Sequence, residues 1–166
     1  MRRMNKKGGI PDAIFYMVAI FTVAIIILVG FLVLSEINDN FQDSGSISTQ
    51  GKSIMSNLTG KYVGIFDNAF LMIVVGILIG TGVGVWFIKT HPALFWIMIP
   101  IFAFIIFLTA IYANVFFNFS SNDKIAPIAS QFVIITFVLN NYAYIMTGVI
   151  VLIAILLFSK GKTEAS

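Results

Sequence analysis

The sequence predicts an all-α integral membrane protein with four transmembrane helices and amphipathic helical segments on its outer face. Of its 166 residues, 59% are hydrophobic and 10% are charged, whereas a soluble chain carries about 25% charged residues. The apolar residues are gathered into long runs without charge, and about 20 such residues in a helix cross the hydrocarbon of a bilayer. Lipid rather than water is therefore the expected solvent for most of the chain.

Residues 1–13 are predicted to form a basic N-terminal leader, and residues 14–35 the first transmembrane helix. Pro11 suits the first turn of a helix, and Asp12 complements the positive end of the helix dipole. A cleaved secretory signal is the competing interpretation, but the apolar core of a signal has about 7–15 residues and ends in small residues. Because the run from Ile14 to Leu34 is longer, we expect a membrane anchor that is retained.

Residues 36–67 form a polar segment that is predicted to lie outside the membrane. The stretch from Asp39 to Ser46 is typical of a turn. From Ile47 to Phe66, apolar residues recur at helical spacing, which predicts an amphipathic helix at the membrane surface or against partner subunits. Because three glycines interrupt this pattern, a loosely helical lead into the next span is the alternative.

Residues 68–89 and 92–117 are predicted to form the second and third transmembrane helices. The connection between them is very short, which predicts a tight antiparallel hairpin. Pro100 lies inside the third span, where it removes a backbone hydrogen bond. We therefore expect a kink there, which membrane helices tolerate when neighbouring groups satisfy the freed backbone.

Residues 118–139 are predicted to form an outer loop and a short interfacial helix. Residues 142–159 are predicted to form the fourth transmembrane helix, and residues 160–166 a basic tail. The stretch from Pro127 to Phe158 is too long for one span at ordinary tilt. Asn140 and Asn141 are the expected break, with an interfacial or re-entrant helix before them. The alternative is one tilted helix that continues beyond the bilayer.

The distribution of basic residues predicts that both termini lie inside. Basic residues are retained on the side from which a membrane protein inserts, and four spans place most of the Lys and Arg residues on that side: Arg2, Arg3, Lys6, Lys7, Lys89, Lys160 and Lys162. The outer side receives three basic residues, Lys52, Lys61 and Lys124, and five acids, Glu36, Asp39, Asp43, Asp67 and Asp123. Because topology explains the net charge of +3, we expect no specific recognition of nucleic acid.

The second span carries glycines at every fourth position, Gly76, Gly80 and Gly84, with Gly82 between the last two. In lipid, helices associate largely through close van der Waals packing, which small residues allow. This pattern predicts a helix-packing face that contacts a second copy of the chain or another membrane subunit. Packing against the third or fourth span of the same chain is the alternative.

The residue types disfavour chemistry inside the membrane. The chain has no Cys and a single His, His91, which is read as a polar turn residue rather than as a pH-sensitive contact. The apolar cores of the predicted spans contain no ionisable residue of the kind that proton relays and ion pathways use. We therefore expect no enzyme activity, catalytic residue, metal site or cofactor. The remaining polar residues in the spans, such as Thr81, Thr109 and Thr147, are expected to bond to backbone or to neighbouring helices.

Two parts of the chain resemble small multispan membrane proteins of prokaryotic viruses and proviruses, including archaeal ones. These parts are Met4–Asp12, directly before a long span, and Asn140-Asn141-Tyr142, before a final span that ends in Phe158-Ser159-Lys160-Gly161-Lys162. Some members of this group lie in the lipid membrane of tailless virions. The resemblance implies a place in a virion membrane or in the host cytoplasmic membrane. Lys6-Lys7-Gly8 also resembles archaeal pilin leaders, but three further spans follow here instead of a soluble head.

From these observations we expect a structural protein that acts as a scaffold in a larger membrane assembly. Its expected partners are the lipid bilayer, copies of itself or other membrane subunits, and capsid proteins. An oligomeric pore of the holin type is the first alternative, because short hydrophobic chains with basic tails are equally compatible with it. An accessory subunit of a cellular membrane complex is the second.

Overall fold

A computed structural model describes residues 10–87 and 92–163, and it confirms the all-α fold. The described residues contain no strand and form six helices: α1 Ile10–Asp43, α2 Thr49–Phe87, α3 Pro92–Ser120, α4 Ala126–Ala129, α5 Val133–Asn140 and α6 Tyr142–Thr163. Three of them, α1, α2 and α3, are long and apolar enough to cross a membrane. The bent pair α5–α6 makes a fourth crossing when it is counted as one broken span.

The first two helices extend well beyond the predicted spans. Helix α1 has 34 residues and α2 has 39 residues, so they measure about 51 and 58 Å, against about 30 Å of hydrocarbon. The turn predicted within Asp39–Ser46 is confirmed for its second half only: α1 stays helical to Asp43, and the chain turns between Ser44 and Ser48. The amphipathic segment after this turn is the first half of α2, which continues without a break into the second span.

Polar contacts between the two helices stabilise the tip of this α1–α2 hairpin. The Gln42 side-chain amide donates to the Lys52 carbonyl over 3.0 Å, and the Lys52 ammonium donates to the Gln42 carbonyl over 2.5 Å. Within α1, the Asn40 amide donates to the Glu36 carbonyl over 2.8 Å. Interhelix contacts of this kind explain why polar residues that would favour a loop in an isolated segment remain helical here.

Lower in the hairpin, α1 and α2 approach closely at a glycine. The Tyr62 hydroxyl donates to the Ile27 carbonyl over 3.4 Å, and it lies 2.8 Å from where a Cβ would stand at Gly30. The Tyr62 ring cannot easily move away, because it stacks on Phe66 at 4.1 Å and contacts Phe31 at 5.5 Å between ring centroids. Gly30 therefore provides the space that this tyrosine occupies.

The third helix continues through its proline. Helix α3 begins at Pro92 and runs without interruption past Pro100 to Ser120. One of its polar residues, Thr109, is fully buried, and its hydroxyl donates to the Ile106 carbonyl over 2.8 Å. In the same way, Thr81 of α2 and Thr147 of α6 donate to carbonyls one turn back in their own helices.

The chain after α3 folds into three helices, α4, α5 and α6. The segment predicted as a short interfacial or re-entrant helix divides into α4 and α5, and the break before α6 lies at Asn141, where the paired asparagines predict it. Helices α5 and α6 are bent by 67° at this break. The alternative of one tilted helix across this region is wrong.

The α5–α6 pair forms the centre of the bundle. Helix α6 packs mainly on α3, and α5 packs on both α2 and α3, while α1 packs mainly along α2. Over the described residues α2 and α3 make no extensive contact with each other. The core between these helices is apolar and includes Phe70, Phe116, Ile135 and Leu139, all fully buried.

The close approach at Gly30 leads to a test by a double-mutant cycle. Gly30→Ala should lower the free energy of unfolding by about 1–3 kcal/mol, because the new methyl group overlaps the Tyr62 hydroxyl and forces repacking. In a Tyr62→Phe background, which removes that oxygen, the same change should cost nothing or stabilise the chain, because Ala is a better helix former than Gly. Denaturant unfolding in detergent micelles measures the four variants. An equal cost of Gly30→Ala in both backgrounds would contradict the steric explanation.

Candidate functional site

A buried carboxylate holds the start of the central helix α5. The Asp67 side chain, on α2, is only 7% exposed. Its two oxygens accept the backbone N–H groups of Ile134 and Ile135 over 2.9 and 2.8 Å. These two N–H groups lie in the first turn of α5, where a helix has no internal partners for its donors. Asp67 therefore acts as a helix cap supplied from a different helix.

The sequence of α5 explains why the cap comes from outside. The residue that precedes the helix, Phe132, has no side-chain hydrogen bond to the helix end and no polar atom that could form one. In apolar surroundings, an unpaired backbone donor is costly, and a hydrogen bond to a charged group contributes about 1.5–3 kcal/mol. A negative charge at this position also interacts favourably with the positive end of the helix dipole.

Aromatic rings from three separate parts of the chain pack beside this carboxylate. The aromatic cluster consists of Phe31 on α1, Tyr62 and Phe66 on α2, and Phe132 before α5. Phe132 is fully buried and contacts Phe31 edge-on at 5.4 Å and Tyr62 edge-on at 6.3 Å between ring centroids. Edge-to-face pairs of this geometry contribute about 0.5–1.5 kcal/mol each beyond burial. The cluster thus fixes the chain as it enters α5.

Two further hydrogen bonds fix the other parts of this segment. The Thr136 hydroxyl donates to the Ala129 carbonyl over 2.7 Å, which joins α5 to α4. At the far end of α5, the buried Tyr142 hydroxyl donates to the Met17 carbonyl over 3.4 Å, across the bundle in α1. Helix α5 is therefore attached to α2 and α4, and the first residue of α6 is attached to α1.

The arrangement around Asp67 performs a structural task. Both carboxylate oxygens are engaged by backbone N–H groups. Within residues 10–87 and 92–163, no three side chains of His, Cys, Asp or Glu come together in a group that could hold a metal ion. Asp67 thus provides acceptors for two backbone donors at the start of a short helix, which allows α5 to begin in apolar surroundings inside the protein.

Sequence reasoning missed the role of Asp67. It assigned this residue to the outer polar segment with the other acids, whereas the structure buries it among α2 and α5. Two signals in the sequence point to the pairing. Asp67 is an acid two residues before the apolar run that begins at Ala69. The residue at the cap position of α5 is Phe132, which is not an Asp, Asn, Ser or Thr.

Three glycines of the second span, Gly76, Gly80 and Gly82, have open space beside them in the structure. Gly76 and Gly80 are exposed and Gly82 is half-buried, and a Cβ added at any of the three would meet nothing within 4 Å. These three positions are therefore not used for close packing against α3 or α6. Contact with a second copy or another subunit stays a prediction. The surroundings of Gly84 lie outside the described residues.

Most of the basic residues that predict the topology also lie outside the described part of the chain. These are Arg2, Arg3, Lys6, Lys7 and Lys89, and the same holds for His91. Lys160 and Lys162 belong to the last turns of α6, but their side chains are not described. Among the basic residues predicted to lie outside, Lys52 is at the tip of the α1–α2 hairpin, where its ammonium group donates to the Gln42 carbonyl.

Comparison of the chain with protein-family models, with curated proteins and with solved structures finds no match. The function of the chain is therefore inferred from its sequence and from the fold and contacts of the described residues.

The open glycine face gives a second test. Gly80→Leu should not destabilise the isolated chain, because a Cβ at this position meets no atom of its own chain within 4 Å and Leu is a better helix former than Gly. The same change should weaken self-association at least about tenfold, since a leucine keeps two backbones apart. Energy transfer between labelled chains in micelles or liposomes measures the association.

Gly148→Leu is the matched control, because a Cβ at Gly148 on α6 also meets nothing within 4 Å. This variant should associate like the wild type. Equal association of wild type and Gly80→Leu would contradict a packing role of the glycine face. A large loss of monomer stability in Gly80→Leu would contradict the open geometry.

Proposed function

We propose that this chain is a non-enzymatic structural membrane protein that links a lipid bilayer to a protein layer outside it. The observation that carries this proposal is the height of the α1–α2 hairpin. Both helices are longer than the hydrocarbon of a bilayer requires, and their polar ends pack together into one rigid tip. A membrane anchor alone does not need such an extension.

The outer part of the hairpin carries exposed apolar residues in addition to its charges. Ile37 and Phe41 on α1 are 42% and 37% exposed, and Ile54 and Leu58 on α2 are 64% and 55% exposed. Each pair is spaced four residues apart, so its members are neighbours on their helix. Apolar side chains within a polar, water-facing segment are typical of a protein contact surface. These exposed apolar pairs support the proposal that a partner protein binds the outer part of the α1–α2 hairpin.

The site of action that we propose is a virion membrane or the host cytoplasmic membrane, with both termini inside. Support comes from the excess of basic residues on the inner side and from the resemblance to small multispan proteins of prokaryotic viruses. In this arrangement the hairpin and the segment around α4 face outward, toward a coat or surface protein. The basic termini face anionic lipid.

One observation favours an oligomeric pore as a second candidate. The α5–α6 span is broken inside the bundle, and broken helices in membrane proteins are tolerated where they are buried in protein or line a cavity. Copies that associate through the open face of α2 would bring several broken spans together. The scaffold remains the better proposal, because the break in this chain is filled by its own core residues, Ile135 and Leu139.

Purification from the native membrane tests the scaffold. The wild-type chain should co-purify stoichiometrically with a coat or surface protein, and purified chain in liposomes should give no ion or dye flux. Ile54→Lys combined with Leu58→Lys should abolish co-purification, because two charges replace the exposed apolar contact. Quantitative mass spectrometry of the purified assembly measures the ratio.

Ser53→Lys combined with Asn57→Lys provides the matched control, because it adds the same charge at exposed polar positions next to the apolar pair. This variant should retain the partner. Discrete flux from the wild-type chain would favour the pore instead. Loss of the partner in both double variants would mean that charge rather than the apolar pair decides binding.

A further inference from the structure

We propose that α5 is a displaceable insert between α2 and α3, and that Asp67 is the latch that keeps it there. Without the two hydrogen bonds that Asp67 accepts from α5, the α4–α5 segment would leave the cleft between α2 and α3 while the α1–α2 hairpin stays folded. This inference is independent of the scaffold function and describes a conformational device in the bundle.

The packing identifies α5 as an insert. Phe70 on α2 and Phe116 on α3 are fully buried, although these two helices make no extensive contact with each other over the described residues. The space between them is filled by α5 and α6. From α5, the fully buried Ile135 and Leu139 contribute to the core that fills this space. Because the described parts of α2 and α3 make no extensive contact with each other, removal of α5 would leave an open cleft between them.

The position of α5 depends on other helices more than on its own sequence. It has 8 residues, and isolated helices of this length have no independent stability. It is bounded by non-helical residues on both sides, at Ser130–Phe132 and at Asn141. One face is open, since Val133 and Phe137 are 68% and 63% exposed. Breaks at both ends allow the segment to move as a unit.

Asp67 is the contact that most specifically holds the start of this segment. It contributes both oxygens to α5, from 67 and 68 residues away in the chain. The residue before α5 supplies no side-chain cap of its own. When the carboxylate is removed, the first N–H groups of α5 lose their partners inside the protein, and the helix start gains from moving to where water or lipid headgroups can accept them.

Distance measurements between spin labels test this latch in the full chain in lipid nanodiscs. The chain has no Cys, so introduced cysteines are labelled uniquely. One pair, at Ile54 on α2 and Phe137 on α5, reports the position of the insert. A second pair, at Phe15 and Ile54, reports the α1–α2 hairpin. All three positions are well exposed, at 64%, 63% and 67% for Ile54, Phe137 and Phe15, so the labels do not enter the core.

Asp67→Ala should remove the single wild-type distance of the Ile54–Phe137 pair and replace it with a broad distribution, while the Phe15–Ile54 distance stays unchanged. Asp67→Asn, which keeps the volume and one acceptor oxygen, should give an intermediate result. Asp43→Asn removes an exposed acid from α1 and should change neither distance. The wild-type Ile54–Phe137 distance in both Asp67 variants would overturn the latch. Loss of the Phe15–Ile54 distance as well would also overturn it, because Asp67 would then support the whole fold rather than one insert.

Discussion

The satisfaction of backbone donors in apolar surroundings is the constraint on which this fold depends. A continuous span meets it within one helix, but a broken span exposes the N–H groups at the start of each new helix. In this chain Asp67 of α2 accepts two of these groups from α5. The pairing couples α2 to the start of α5 inside a bundle with an apolar core. The 67° bend between α5 and α6 lies at the opposite end of α5.

The same pairing organises the aromatic cluster. Since Asp67 fixes the first turn of α5, Phe132 directly before it is held against Phe31 and Tyr62. Tyr62 in turn needs the space at Gly30, so a residue without a side chain on α1 contributes to the position of a helix that lies a hundred residues further along the chain. Glycine, aromatic and polar contacts of α1 and α2 thus meet at the start of α5.

The sequence predicts the parts of this fold that are local. Long apolar runs predict α1, α2 and α3, and the excessive length of the last apolar stretch together with Asn140 and Asn141 predicts the break before α6. It does not predict that α1 stays helical to Asp43, because this depends on contacts between Gln42 and Lys52 across the hairpin. The role of Asp67 is hidden for the same reason: its partners, Ile134 and Ile135, are distant in sequence and offer only backbone atoms.

The lengths of α1 and α2 have a geometric consequence for any layer that docks on their tip. A pair of packed helices is stiff along its axis, and residues 35–43 extend α1 by about 14 Å beyond the predicted first span. A shell held by many copies of this hairpin would stand at a uniform height above the bilayer. The curvature of the lipid would then follow the curvature of the shell, with the gap between them set by the number of helical turns between Leu34 and the Ser44–Ser48 turn.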